Sequence, residues 1–236
     1  MPPPPLPQIE MLYLTTAALS FAGASMMAPT QQRVQPMQMI FGLGKKSATS
    51  TMSGKVVDTK TLVKKLGVPV KGPNEPITMD EVEVLQAAWS TAITSISGAL
   101  DGGDIVDTAG TAAGELYGYG KSNVLFKPTK ATAHPFRPTP EDAMSYFVGA
   151  EAMNNDTFKG EDAGFAINGG KGWESCVYDN HQVELKGGMG IAMGNYYFTC
   201  ATTGDKAKVE YTFGYVRCDD GKVRIFLHHS SVPYAA

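Results

Sequence analysis

Thr78-Met-Asp-Glu-Val-Glu-Val-Leu-Gln-Ala-Ala-Trp-Ser-Thr-Ala-Ile-Thr-Ser-Ile-Ser-Gly-Ala-Leu100 is the stretch on which the reading of the fold turns. It opens with a capping box, in which Thr78 caps the first turn and Glu81 reaches back to the cap amide. Val82, Leu85, Trp89, Ala92, Ile93, Ile96 and Leu100 then recur at helical spacing over about five turns, so one face of a long helix is apolar. Upstream, Lys71-Gly-Pro-Asn-Glu-Pro76 reads as a linker that delivers the chain to this helix. Downstream, Asp101-Gly-Gly-Asp104 stops it, and a second, Gly-broken helix is expected from Asp104 to about Tyr117.

Beyond the helices the pattern changes. Asn123-Val-Leu-Phe126 reads as a short strand running into Lys127-Pro-Thr-Lys130. Thr139-Pro-Glu-Asp142 supplies a cap, a first-turn Pro and two first-turn acids for a helix carrying Ala143, Met144, Tyr146 and Phe147. From Phe165 onward, residues 177–185, 191–202, 208–217 and 222–231 are rich in β-branched or aromatic side chains, and Thr203-Gly-Asp205 and Asp219-Asp-Gly221 read as hairpin turns. Helices first and an antiparallel meander afterwards imply an α+β domain, a curved sheet wrapped around the long helix.

Composition narrows the chemistry. The 236 residues carry a net charge of −3 and no basic block, which argues against a nucleic-acid partner. Apolar residues make up 43% and charged residues 18%, enough to build a core. Cys176, Cys200 and Cys218 are too scattered for a disulfide framework. His134, His181, His228 and His229 show no zinc-ligand spacing with them or among themselves. Most of the polar catalytic capacity must therefore come from Ser, Thr, Tyr and carboxylates.

The first 57 residues read as a leader. Met11 to Val57 contains no acid, and Met11 to Ala24 resembles a signal-peptide apolar region ending in small residues. The Ser- and Lys-containing stretch after it reads as a transit peptide. Ala24-Ser-Met-Met-Ala-Pro29 is similar to the cleavage motif of complex-plastid leaders in algae, with Met in place of the usual Phe, and residues 1–10 lack the basic charge of a normal signal start. The apolar run is too short and too rich in Ser and Thr to span a membrane. Four basic groups and one acid lie in residues 1–57, so the remainder holds 16 basic and 22 acidic groups and a net charge of −6. The expected organisation is a plastid-targeting leader at 1–57, a linker at 58–75 and one domain at 76–236.

The order of elements resembles the SnoaL-like (nuclear-transport-factor-2-like) cone, and more closely the association domain of calcium/calmodulin-dependent kinase. Within that superfamily four blocks are similar to the iota-class carbonic anhydrases. They are Val124-Leu-Phe-Lys-Pro-Thr-Lys-Ala131, Ala163-Gly-Phe-Ala-Ile-Asn-Gly-Gly-Lys-Gly-Trp173, Met193-Gly-Asn-Tyr-Tyr-Phe-Thr-Cys-Ala-Thr-Thr-Gly-Asp-Lys206 and His228-His-Ser-Ser-Val-Pro-Tyr234. The resemblance implies reversible hydration of CO2 to bicarbonate in an algal plastid. It implies action without a bound metal, although manganese or zinc dependence is associated with the class too. It also implies a homodimer or larger assembly, and the competing reading on the same fold is a non-catalytic scaffold or photosynthetic-complex subunit.

The resemblance places Thr129, Tyr146, one His and one Ser of the last strand in a small polar pocket. Strict alternation puts Val223, Ile225, Leu227, His229 and Ser231 on one face and Arg224, Phe226, His228 and Ser230 on the other. The aliphatic row is the natural partner of the long helix, so His229 and Ser231 are the expected pocket residues. A bulge in Ser-Ser-Val-Pro would exchange the two faces. In the expected chemistry the hydroxyls of Thr129, Tyr146 and Ser231 hold the bicarbonate oxygens and His229 accepts a proton. Asn168 and Gly169-Gly170 are expected at the pocket rim.

Overall fold

The computed structural model describes residues 59–235, so the leader expected at 1–57 lies outside the described residues. The chain runs α1 (Thr59–Leu66), α2 (Met79–Gly98), α3 (Ile105–Leu116), β1 (Leu125–Lys127), α4 (Pro140–Val148), α5 (Ala150–Met153), β2 (Trp173–Lys186), β3 (Met189–Cys200), β4 (Lys206–Arg217) and β5 (Val223–Ser231). The capping box of α2 forms as its sequence dictates, with the Glu81 amide donating to Thr78 Oγ1 at 3.4 Å and the Thr78 amide to Glu81 Oε2 at 3.1 Å. Two helices were not anticipated, the single-turn α5 and α1. In the stretch expected to be linker, α1 forms and sends Leu62 and Leu66 into the core.

Five strands make one sheet in the order β1-β5-β4-β3-β2, antiparallel from β2 to β5 and parallel between β1 and β5. The hairpin between β2 and β3 turns on Gly187, at a φ of 58° that favours glycine, and both strands run longer there than their β-branched cores suggest. The sheet curls around α2, whose Val82, Leu85, Trp89, Ala92, Ile93 and Ile96 are all buried. Trp89 is the centre of this packing. Its ring lies 5.7 to 6.2 Å from those of Tyr178, Tyr196, Phe198, Phe213 and His228, all edge-on. The α+β cone with a curved sheet on a long helix is the architecture expected from the sequence.

The start of α2 is pinned to the far end of the sheet by charge. Arg217 Nη2 lies 2.7 Å from Glu81 Oε2, with both side chains almost fully buried, and the same guanidinium donates to the carbonyls of Glu75, Pro76 and Gly221. A buried pair needs such extra hydrogen bonds to offset the desolvation of both charges.

The ladder gains an extra residue at three steps, Glu174 near the start of β2 and two further positions at each of which a glycine faces the extra residue. Asn180 pairs Gly194 and Gln182 pairs Met193, leaving His181 unpaired in β2. Leu227 pairs Gly214 and Ile225 pairs Tyr215, leaving Phe226 unpaired in β5. A Cβ on Gly194 would meet the Asp179 carbonyl oxygen at 2.2 Å, so no larger residue fits against the bulge at His181.

Candidate active site

The bulge at Phe226 decides which face of β5 enters the cone. Val223 and Ile225 point inward, as alternation predicts, and both are fully buried. The extra residue then shifts the phase, so His228 and Ser230 point inward and are buried at 3% and 2% exposure. His229 is exposed and Ser231 half-buried. Both lie in a groove of about 410 Å³ on the outer face of the sheet, where Ser231 donates to Glu210 at 3.1 Å. The expectation that His229 and Ser231 face the pocket is thus corrected. A face-switching bulge is present, but it lies ahead of the two histidines rather than in Ser-Ser-Val-Pro.

Parallel pairing brings the second half of the site to the first. Phe126 of β1 stands opposite His228 and Lys127 opposite His229, so the chain leaves β1 beside Ser230. The Phe126 ring stacks on the His228 imidazole at 4.6 Å and 19°. Pro128 and Thr129 follow. The Thr129 hydroxyl is buried and makes no hydrogen bond of ordinary length and angle, although it interacts with the phenols of both Tyr146 and Tyr196. A buried hydroxyl with spare capacity is uncommon in a finished core and is suited to a ligand.

The loop that carries Thr129 is held at both its base and its middle. The Arg137 amide donates to the Phe126 carbonyl at 2.9 Å, closing the base. The Arg137 guanidinium, fully buried over the Phe158 ring, lies 2.7 Å from Asp162, which also accepts from Ser145 Oγ at 2.7 Å. Next to it, Glu161 accepts from the amides of Thr132 and His134 and pairs with the His134 ring at 3.1 Å. Burial alone would raise the Glu161 pKa, but these donors win and hold it at about 2.

Tyr146 projects from α4 with 4% exposure and stacks on Phe165 at 5.5 Å. It also lines a cavity of about 200 Å³ together with Lys130, Asn168, Gly169 and Trp173, whereas Gly170, expected beside them, is not in the lining. The cavity lining includes Tyr146 but not Thr129, His228 or Ser230, and Tyr146 is linked to these through Thr129.

Three functional candidates were not legible as such. Tyr196 Oη lies 2.6 Å from Ser230 Oγ, Tyr117 Oη lies 2.8 Å from His228 Nδ1, and Trp89 Nε1 donates to Tyr117 Oη at 2.9 Å. Ser230 Oγ completes the row at 2.8 Å from His228 Nε2. For Tyr196 a signal existed: in Asn-Tyr-Tyr-Phe one tyrosine must share the inward face of Phe198, and that is Tyr196. Nothing local marks Trp89 or Tyr117 as more than core.

Burial sets the protonation states. It pushes the His228 pKa well below the histidine value of 6.5, with a smaller push from the charge of His229. It raises the phenols of Tyr117, Tyr146 and Tyr196 far above 10.0. At neutral pH the site therefore offers a neutral imidazole and protonated hydroxyls. Among the described residues no three His, Cys, Asp or Glu side chains gather so as to hold a metal ion.

Comparison with known proteins agrees with this picture. Residues 80–232 match the family model described as metal-independent carbonic anhydrase. A metal-independent carbonic anhydrase from Nostoc sp. (strain PCC 7120) is 34% identical over 200 residues, covering 80% of this chain and 93% of the relative. The crystal structure of an iota-carbonic anhydrase from a cyanobacterium, complexed with bicarbonate, is also 34% identical, with a TM-score of 0.62 over 71% of this chain and 98% of that one. On the extent of these matches, the chain belongs to the metal-independent carbonic anhydrase family.

Proposed function

We propose that this chain catalyses the reversible hydration of CO2 to bicarbonate with its own hydroxyl groups and without a bound metal, and that Thr129, Tyr146, His228 and Ser230, with Tyr196, form the site. The observation that carries this reading is a run of buried hydroxyls, from Tyr146 through Thr129 and Tyr196 to Ser230, that ends on the neutral His228, with Tyr146 also lining the cavity. The bicarbonate in the cyanobacterial relative's structure supports it. In the reaction the water oxygen bonds to the CO2 carbon, one O–H bond of that water breaks, and the proton passes to solvent water. Charge grows on the former CO2 oxygens, and hydroxyls already aimed at them stabilise it without reorganising. Held neutral, His228 orients Ser230 instead of storing the proton.

The test is stopped-flow CO2 hydration by the full chain with its metal content measured. Activity should persist unchanged in chelator. Activity that tracks added zinc or manganese and vanishes with chelator overturns the reading.

Residues 1–57 are further proposed to be a two-part plastid-targeting leader, on the strength of the acid-free, small-residue composition of Met11 to Val57. A fluorescent fusion of this segment should enter the plastid of an alga with complex plastids. The exposed Val177, Met189, Ile191 and Met193 on the outer sheet face suit a homodimer, which light scattering should detect. The described residues include no helix long and apolar enough to cross a membrane.

A further inference from the structure

The polar row inside the cone has a direction, and that direction is set at its far end. An indole N–H can only donate, and that of Trp89 points at the Tyr117 oxygen from 2.9 Å. The other partner of that oxygen is His228 Nδ1 at 2.8 Å. The opposite ring nitrogen, Nε2, faces Ser230 Oγ at 2.8 Å, and Ser230 faces Tyr196 at 2.6 Å.

Two placements of the imidazole hydrogen follow from these distances. With the hydrogen on Nδ1, the Tyr117 oxygen accepts from both sides and its own hydrogen stays buried without an acceptor, which protein interiors avoid. With the hydrogen on Nε2, Tyr117 donates to Nδ1, His228 donates to Ser230, and Ser230 donates to Tyr196, whose own hydrogen is left for Thr129 or for an oxygen bound beside it. Every hydrogen of the row is then used. All the bonds also run one way, so each polarises the next.

We propose that Tyr117, oriented by Trp89, is a positioning residue that locks His228 in the neutral Nε2–H form, so that the Ser230–Tyr196 pair meets the substrate as a hydrogen donor. Donors suit the carboxylate-like oxygens of bicarbonate and of the transition state that leads to it. The row is also closed to proton escape, because Trp89 has no acceptor to pass a proton on. The proton of the attacking water must therefore leave on the side of Tyr146 and the cavity. This inference rests on the site being the one that hydrates CO2.

The test is nitrogen NMR of the full chain labelled at histidine, with His228 assigned by the signal lost in His228→Gln. At neutral pH the wild-type ring should be a single Nε2–H tautomer with Nδ1 accepting a hydrogen bond. A ring protonated at Nδ1, or at both nitrogens, overturns the assignment. Tyr117→Phe keeps the ring and removes the hydroxyl. It should abolish the hydrogen-bonded Nδ1 signal and lower kcat roughly tenfold, about the value of one hydrogen bond, with a smaller change in KM. A folded Tyr117→Phe with an unaltered His228 spectrum and unaltered kcat also overturns it. Wild-type protein that shows the Nε2–H tautomer but no hydration activity would sink the carbonic anhydrase reading and leave the assignment standing.

Discussion

Gly214 stands directly across the ladder from Leu227, at the step where β5 gains its extra residue. A Cβ there would come within 2.8 Å of Leu227 Cβ and 2.7 Å of the Phe226 ring, so the bulge and a side chain at 214 cannot coexist unchanged. Gly214→Ala should therefore disturb the phase that turns His228 and Ser230 inward. Overpacking of this kind costs about 1–3 kcal/mol. The expected result is a modestly lowered melting temperature with a disproportionate loss of CO2 hydration, and a stable variant with full activity would contradict it.

Paired substitutions on β5 separate its two faces. Ser230→Ala and His228→Ala should each lower kcat/KM for CO2 by roughly 10²–10³-fold, the scale of losing one preorganised donor. His229→Ala and Ser231→Ala should stay near wild type, because both side chains lie in the outer groove. Stopped-flow assays of the four variants check this, and the reverse ranking would return the site to the other face.

Burial of neutral His228 carries a signature in stability against pH. The unfolded chain takes up a proton near 6.5, whereas the folded chain does so only at much lower pH. The folded state thus binds fewer protons below 6.5, and this group's contribution is intact above that value and erodes as pH falls. The slope approaches about 1.4 kcal/mol per pH unit. Denaturant titrations across pH should show His228→Gln to be flatter than wild type in that window. Equal slopes would mean that the folded ring titrates normally.

The phenols give the opposite limb. With Tyr117, Tyr146 and Tyr196 all raised above 10.0 by burial, their hydrogens stay in place in alkaline solution. The hydration rate should show no phenol-dependent fall up to pH 10. A fall with a midpoint below 10 that disappears in Tyr146→Phe would contradict the burial argument.

Glu161 is tested through the loop it holds. Glu161→Gln keeps the shape but weakens the grip on Thr132 and His134, so Thr129 should be less well placed. A fall in kcat/KM of roughly tenfold is expected, as for the loss of a charge-assisted hydrogen bond. The carboxylate also lends stability that is present above its ordinary value of 4.5 and is lost as pH falls toward 2. Wild type should accordingly lose more stability than Glu161→Gln between those values.

Much of this molecule is legible in its sequence because local rules and tertiary structure agree. The capping box at Thr78, the apolar stripe from Val82 to Ile96 and the hairpin turns all fold as their residues dictate. Thr129 and Tyr146 were reached through family resemblance, and the structure brings them together. The alternation that put His229 and Ser231 on the inward face of β5 is interrupted at one residue. Alternation is a reliable guide only along an uninterrupted ladder, and whether Phe226 bulges depends on Gly214, a glycine on another strand. Helix α1 was hidden for a related reason. Thr59-Lys-Thr-Leu-Val-Lys-Lys-Leu66 is too short to hold a helix alone, and its stability comes from packing Leu62 and Leu66 against the core.

The three-residue parallel ladder between β1 and β5 has a consequence for the order in which the protein acquires activity. Strands β2 to β5 can close hairpin by hairpin through short loops, whereas Leu125 must find Leu227 across the entire meander. Such long closures come late, since their entropy is spent before any contact rewards it. A chain whose meander has closed but whose β1 is undocked would already hold Ser230 and Tyr196 while lacking Thr129 beside them. Activity would then report the last step of folding, appearing after the core's fluorescence and circular dichroism have already reached their native values.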